Sequence, residues 1–226
     1  MKSHGRSVKK QLFDLLNQGD SDKALAEMGR LPPRQIINPL LSFIQSGNEK
    51  VKWGSVKAIG HVVGQLADRD LEAARVIMRR LMWTLNDESG GIGWGSPEAM
   101  GEIMAIHRGL AQEYAHILIS YAREDGNYLE HEGLQRGLLW GIGRLSETRP
   151  ELVRESAGLF LAYLESRDAV IRGLAVRLMG LLRVKEAQPV LQTLAEDESA
   201  IALVIENRLA ATRVKDLAAE ALKVIG

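Results

Sequence analysis

The stretch Trp53-Gly-Ser-Val-Lys-Ala-Ile-Gly60 recurs 41 residues later as Trp94-Gly-Ser-Pro-Glu-Ala-Met-Gly101, with five of its eight positions identical. A third copy, Arg136-Gly-Leu-Leu-Trp-Gly-Ile-Gly143, begins 42 residues further on, and a weaker fourth, Gly173 to Gly180, after another 37. A chain that repeats at this interval builds its core by stacking like units, and an interval near 40 residues suits pairs of helices. Between the copies, apolar residues fall at three- and four-residue spacing over Leu71 to Leu85, Ala111 to Tyr121 and Leu152 to Leu164, which supplies the alternate helix of each pair. Proline in Asn38-Pro39, Ser96-Pro97 and Arg149-Pro150 suits a first helical turn, where its missing N–H needs no partner, and Ser96 reads as an N-cap. Val, Ile and Thr nowhere alternate with polar residues over a strand-length run, so β-structure is expected to be negligible. The expected fold class is all-α: a right-handed α-α superhelix, or α-solenoid, of about five helical pairs and about eleven or twelve helices. A single domain is expected over residues 1–226, with residues 1–32 as an N-terminal helical cap.

Composition narrows the chemistry. The chain has 226 residues, 46% of them hydrophobic, enough for a real core. Its 29 basic and 29 acidic residues cancel, so no global charge draws it to nucleic acid or an anionic membrane. It has no cysteine, which removes disulfides, thiolate metal sites and cysteine nucleophiles. The basic start, Met1 to Lys10, precedes an apolar run too short for a signal-peptide core, and no segment reaches the roughly 20 apolar residues of a membrane span. A cytoplasmic location is the expectation.

Two types of segment carry a family resemblance. Ile36-Ile-Asn-Pro-Leu-Leu-Ser-Phe-Ile44 and Ala187-Gln-Pro-Val-Leu-Gln-Thr-Leu194 look like first helices of HEAT-like repeats of the phycocyanobilin-lyase type. Val51-Lys-Trp-Gly-Ser-Val-Lys-Ala-Ile-Gly60 and Ile171-Arg-Gly-Leu-Ala-Val-Arg-Leu-Met-Gly180 are similar to the second helices of such repeats. The likeness covers most of residues 33 to 225, and the whole chain also resembles small HEAT-like proteins of anaerobic bacteria. It departs from the pattern at Ile92-Gly93, inside a glycine cluster where the family would run directly into a helix.

The resemblance implies that second helices line a concave groove. In that register the outermost row holds Trp53, Trp94, Arg136 and Gly173, the next Lys57, Glu98, Trp140 and Arg177, and the third His61, Glu102, Arg144 and Leu181. Gly54, Gly95 and Gly137 form a small adjoining column beside the large side chains. Tryptophan and arginine give much contact area per residue and are enriched at binding hot spots, so a groove of Trp, Arg and Glu reads as recognitive. The opposing reading is that tryptophans at helical spacing are core, and that Glu98 and Glu102 pair with Arg136 and Arg144. The column Gly60, Gly101, Gly143 and Gly180 reads as packing positions that let helices approach closely.

Residues 86 to 101 concentrate the chemistry, because four of the six positions from Gly90 to Gly95 are glycine. Free N–H groups in a glycine turn before a helix attract anions, yet Glu98 opposes a bare phosphate, and no P-loop lysine or preceding strand is present. Glu98 and Glu102, four apart, have the spacing of two carboxylates converging on a metal or acting as acid and base, with His61 as a neighbour. Glu113-Tyr-Ala-His116 has a Glu-x-x-His spacing used by helical metal sites, without a second copy. His4, His107 and His131 have no motif around them. No metal and no cofactor is therefore expected.

Two functional classes follow. One is a non-enzymatic binding or scaffold protein that holds a peptide, a protein partner or a small ligand among Trp53, Lys57, His61, Trp94, Gly95, Glu98, Glu102, Arg136, Trp140, Arg144 and Arg177. The alternative is an enzyme on the same scaffold, lyase-like or DNA-glycosylase-like, with Glu98 and Glu102 as weak catalytic candidates. A DNA-binding groove needs a basic stripe, and these positions carry little excess positive charge. A protein or peptide partner is expected, and neither nucleic acid nor membrane.

Overall fold

Asn48, Asp70, His131 and Asp168 each stand just before a run of helix-period apolar residues, and each accepts a hydrogen bond from a backbone N–H of the first turn. These side chains satisfy donors that a helix start leaves open, and so set where four helices begin. They belong to a computed structural model that describes residues 2–18, 21–86, 93–205 and 208–226. Residues 87–92, which include Gly90 and Gly91 of the glycine cluster, lie outside the described residues. The chain divides into two units, residues 1–110 and 111–226.

The first unit contains α1 (Lys2–Asn17), α2 (Ser21–Met28), α3 (Pro33–Phe43), α4 (Glu49–Ala67), α5 (Leu71–Leu85) and α6 (Ser96–Ile106). Helix α4 is its centre and packs against the other five. Its side chains from Val51 to Val63 bury Val51, Val56, Ala58, Ile59, Val62 and Val63. Two boundaries differ from expectation. Pro39 lies inside α3, which begins instead at Pro33, so Asn38-Pro39 marks no boundary. Helix α6 is N-capped by Gly95 with φ +80°, and Ser96 is already helical. Its hydroxyl instead lies 2.8 Å from that of Thr84 on α5. A side chain at Gly95 would strike Ile44, and φ there favours glycine, so two constraints meet at one residue.

The second unit begins within α7 (Arg108–Ser120) and contains α8 (Glu132–Thr148), α9 (Ala169–Leu182), α10 (Gln188–Leu194) and α11 (Val214–Ile225). Helix α9 packs on α8 and α11. Where an α-helix is expected over 152–164, the chain forms 3-10 helix at Pro150–Leu152 and Arg154–Glu165. Ala157, Phe160 and Tyr163 are buried there, three residues apart, which is the period of a 3-10 helix.

The expectation of negligible β-structure fails at β1 (Ala200–Ile205) and β2 (Arg208–Arg213), an antiparallel hairpin with Ile201 opposite Thr212 and Leu203 opposite Ala210. Ile201 and Leu203 turn inward and are buried, whereas Ala200 and Ala202 face out. The outward residues are small apolar ones, so strand alternation exists in burial but is hidden in the polarity of the sequence.

Candidate functional site

Helices α4 and α6 pack at close range because α4 presents glycine where α6 presents long side chains. A Cβ on Gly60 would lie 2.5 Å from Glu102 Cγ, and one on Gly64 would lie 2.7 Å from Ile106 Cγ2. This approach buries Glu98 and Glu102, each only 4% exposed. Glu98 Oε1 is 3.1 Å from the Lys52 ammonium, and its other oxygen, Oε2, is buried with no hydrogen-bond partner among the described residues. The same ammonium stands 4.9 Å from the centre of the Trp53 ring, and Trp53 Nε1 donates to Glu49 Oε2 at 2.7 Å. Lys52, Trp53, Glu49 and Glu98 thus form one connected group. Trp53, Lys57, His61 and Trp94 are half-buried, and His61 shares a 3.0 Å contact with Gln65. In place of the predicted pairing with an arginine, Glu98 pairs with a lysine on α4, two helices back.

In the second unit, the predicted residues are engaged with one another and with the hairpin. Arg136 donates through Nε and Nη2 to Asp168 Oδ2, the Nε bond being 2.9 Å. Asp168 Oδ1 meanwhile caps α9 by accepting from Val170 and Ile171 N–H at 2.8 and 3.1 Å. Burial acts to raise the Asp168 carboxyl, but the Arg136 guanidinium and these N–H groups outweigh it and hold it below the usual range. Arg144 and Arg177 share Glu147, one on each oxygen. Trp140 Nε1 donates to the Val204 carbonyl of β1 at 2.7 Å. A Cβ on Gly173 would run into the tip of the Ile201 side chain, and the hairpin lies on the face of α8 and α9 that the repeat register assigns to ligand. At the hairpin base, Arg172 grips Asp197 Oδ2 through Nε and Nη2 at 2.9 and 2.7 Å. Burial again opposes, and Ser199 with Arg172 lowers the Asp197 carboxyl.

The remaining polar candidates have local roles. His131 Nδ1 caps α8 by accepting from Gly133 N–H, and His107 Nδ1 accepts from Leu110 N–H where α6 gives way to α7. Glu113 is half-buried and His116 exposed on α7, and among the described residues no group of three metal-ligating side chains converges. The side chain of His4 lies outside the described residues. The Tyr163 hydroxyl is buried, and that burial, together with Tyr128 and Glu124 beside it, pushes its ionisation well above the tyrosine range. Sequence reasoning passed over Trp83, which is 66% exposed on α5 and shares its outer face with exposed Val76, seven residues earlier. The i, i+7 spacing of these two apolar residues was the available signal.

No protein-family model matches the sequence, and no curated protein matches it. Solved structures do. A designed armadillo repeat protein superposes with a TM-score of 0.58 at 15% identity, covering 98% of this chain and 94% of that one. Another, computationally designed for modular peptide recognition, gives 0.53 at 17% identity over 96% and 99% of the two chains. A third, solved in complex with the peptide (KR)4, gives 0.60 at 15% identity over 98% and 92%. An archaeal HEAT-like repeat protein from Thermococcus onnurineus NA1 aligns at 0.43 and 12% identity over 96% and 80%. The fold class is therefore that of an all-α helical-repeat protein, the α-solenoid class, with one β-hairpin added. No helix among the described residues is long and apolar enough to cross a membrane.

Proposed function

We propose that this protein is a non-enzymatic binding scaffold that recognises an extended peptide segment of a partner protein on the exposed face of α4 and the Trp94 turn that leads into α6. We class its repeats with the HEAT-like units of the phycocyanobilin-lyase type and assign it to the cytoplasm. The Trp53 platform carries the reading. Its indole is half-exposed, its N–H is held by Glu49, and its ring is held by Lys52, itself anchored on buried Glu98. A ring positioned before the ligand arrives avoids the ordering cost of binding, and tryptophan is the residue most enriched at hot spots. His61 on α4 and Trp94 in the turn before α6 are also half-exposed and extend the surface.

Two structural neighbours support a peptide as the ligand, one designed for peptide recognition and one holding (KR)4. The enzymatic alternative gains nothing from the geometry, because Glu98 and Glu102 are almost withdrawn from solvent and Glu98 already faces Lys52.

Selection from a displayed random peptide library, followed by fluorescence anisotropy with the enriched peptide, tests the reading. Replacing Trp53 and Trp94 together by alanine is expected to weaken binding roughly tenfold or more, with helical circular dichroism retained. Trp83→Ala, on another face, is expected to change nothing. Absence of any enriched peptide, or full affinity in the folded double variant, refutes it.

A further inference from the structure

The second unit carries a cleft that shares no lining residue with the Trp140 face. Its volume is about 530 Å³, within the range of small-ligand sites. Ala157, Leu161, Leu182 and Val184 make an apolar lining, and Arg154, Arg183 and Glu186 bring charge. Ala157, Leu182 and Val184 are buried, while both arginines are exposed. Arg136, Arg144, Arg172 and Arg177 elsewhere in this unit each have an acidic partner. Among the described residues, neither Arg154 nor Arg183 has one.

Arg183 adds an independent observation. It ends α9 in the left-handed conformation, φ 56° and ψ 51°, and is the one non-glycine residue with positive φ among those described. The turn closes with Arg183 N–H donating to Gly180 O at 3.2 Å and Val184 N–H to Met179 O at 3.1 Å. Glycine is the residue this helix ending favours, because a Cβ is crowded there. The backbone therefore gains nothing from arginine, and the side chain has to justify its presence. That side chain stands on the rim of an apolar cleft, beside a second arginine that is also unpaired. Gly158 leaves the wall open, since a Cβ there would meet nothing within 4 Å.

We propose that this cleft binds a small carboxylate with an apolar body. Arg154 and Arg183 take the carboxylate, and Ala157, Leu161, Leu182 and Val184 receive the hydrocarbon. A guanidinium offers two parallel donors that match the two oxygens of a carboxylate. Two arginines against Glu186 leave one positive charge, which a monoanion neutralises. The proposal does not rest on the peptide reading of α4 and α6. The same chemistry could come from a free organic acid or from the C-terminal carboxylate of a peptide ending in an apolar residue.

Titration of 15N-labelled full-length protein separates these sources and tests the site. The probes are 4-phenylbutyrate, its neutral amide, and the tetrapeptide Gly-Gly-Ala-Leu with a free C-terminus. The acid is expected to shift amide signals within residues 154–161 and 182–186, and the neutral amide to bind roughly tenfold more weakly. Tighter binding of the tetrapeptide than of 4-phenylbutyrate assigns the site to chain ends, and weaker binding assigns it to free acids. R183G relieves the backbone, so its thermal midpoint is expected to equal or exceed that of the parent while affinity for 4-phenylbutyrate falls roughly tenfold. R154M, at an exposed position, is expected to lose affinity similarly with no change in melting. The proposal is overturned if the neutral amide binds as well as the acid, if R154M and R183G keep full affinity, or if no probe shifts these segments.

Discussion

Gly60→Ala and Gly143→Ala make the same chemical change at equivalent positions of two repeats, and the structure assigns them opposite signs. In a helix interior, alanine in place of glycine contributes about 1 kcal/mol through backbone entropy. At Gly143 the new Cβ would meet only Arg177 Nη1, at 3.5 Å, the far end of a flexible side chain, so most of that gain is retained. At Gly60 the Cβ would lie 2.5 Å from Glu102 Cγ, 3.1 Å from Ile106 Cδ1 and 3.3 Å from the backbone carbon of Glu102. Glu102 is buried, and α6 also packs on α5, so the neighbour cannot simply retreat. Overpacking costs about 1–3 kcal/mol, and three contacts below 3.4 Å against a buried neighbour place Gly60 in the upper part of that range, about 2–3 kcal/mol, which leaves G60A less stable by about 1–2 kcal/mol after the helix gain is subtracted. At roughly 2–4 °C per kcal/mol for a chain of this length, G60A is expected to melt about 2–8 °C below the parent and G143A slightly above it. Paired thermal melts by circular dichroism or calorimetry give the answer. If G60A melts with or above G143A, the close approach of α4 and α6 that buries Glu98 and Glu102 is wrong.

Lys52→Met strands the buried Glu98 carboxylate and is expected to cost about 2–3 kcal/mol, less than for a fully buried pair because Lys52 is partly exposed; adding Glu98→Gln should recover most of the loss in urea titrations. Asp168 and Asp197 have folded-state pKa values below their unfolded ones, so the stability they contribute is complete above the unfolded carboxyl range and fades as pH falls through the lowered folded values. D168N and D197N should therefore flatten the acid limb of the melting-temperature profile and leave its neutral-to-basic slope alone. Trp140→Phe removes the indole donor to Val204, and amide exchange within 201–205 is expected to speed up roughly fivefold while α9 stays protected, as read by hydrogen-exchange mass spectrometry.

The repeat of Trp53 to Gly60 at Trp94 and Arg136 made the helical-pair architecture legible, because stacking like units requires like residues at the packed faces. The glycine column was readable for the same reason at Gly60 and at Gly180, where a Cβ would come within 3.1 Å of Ala221. Periodicity also located α5 over Leu71–Leu85 without error. It could not locate the hairpin, whose outward residues Ala200 and Ala202 carry no polar signature. Nor could it distinguish the 3-10 helix of Arg154–Glu165 from an α-helix, since spacings of three serve both.

The candidate site divides in the same way. Side-chain identity and register, set by spacing along the chain, were enough to bring Trp53, Lys57 and His61 to half-exposed positions on α4, and Trp94 to one in the turn before α6. Partners are set by distances between elements remote in sequence, and no local pattern encodes these. Only in the folded chain does Glu98 meet Lys52, Arg136 meet Asp168, and Trp140 meet the Val204 carbonyl. A helical period fixes the direction in which a side chain leaves its axis; how closely two axes approach, and therefore whether a glutamate ends in water or under a lysine, depends on packing across the whole unit.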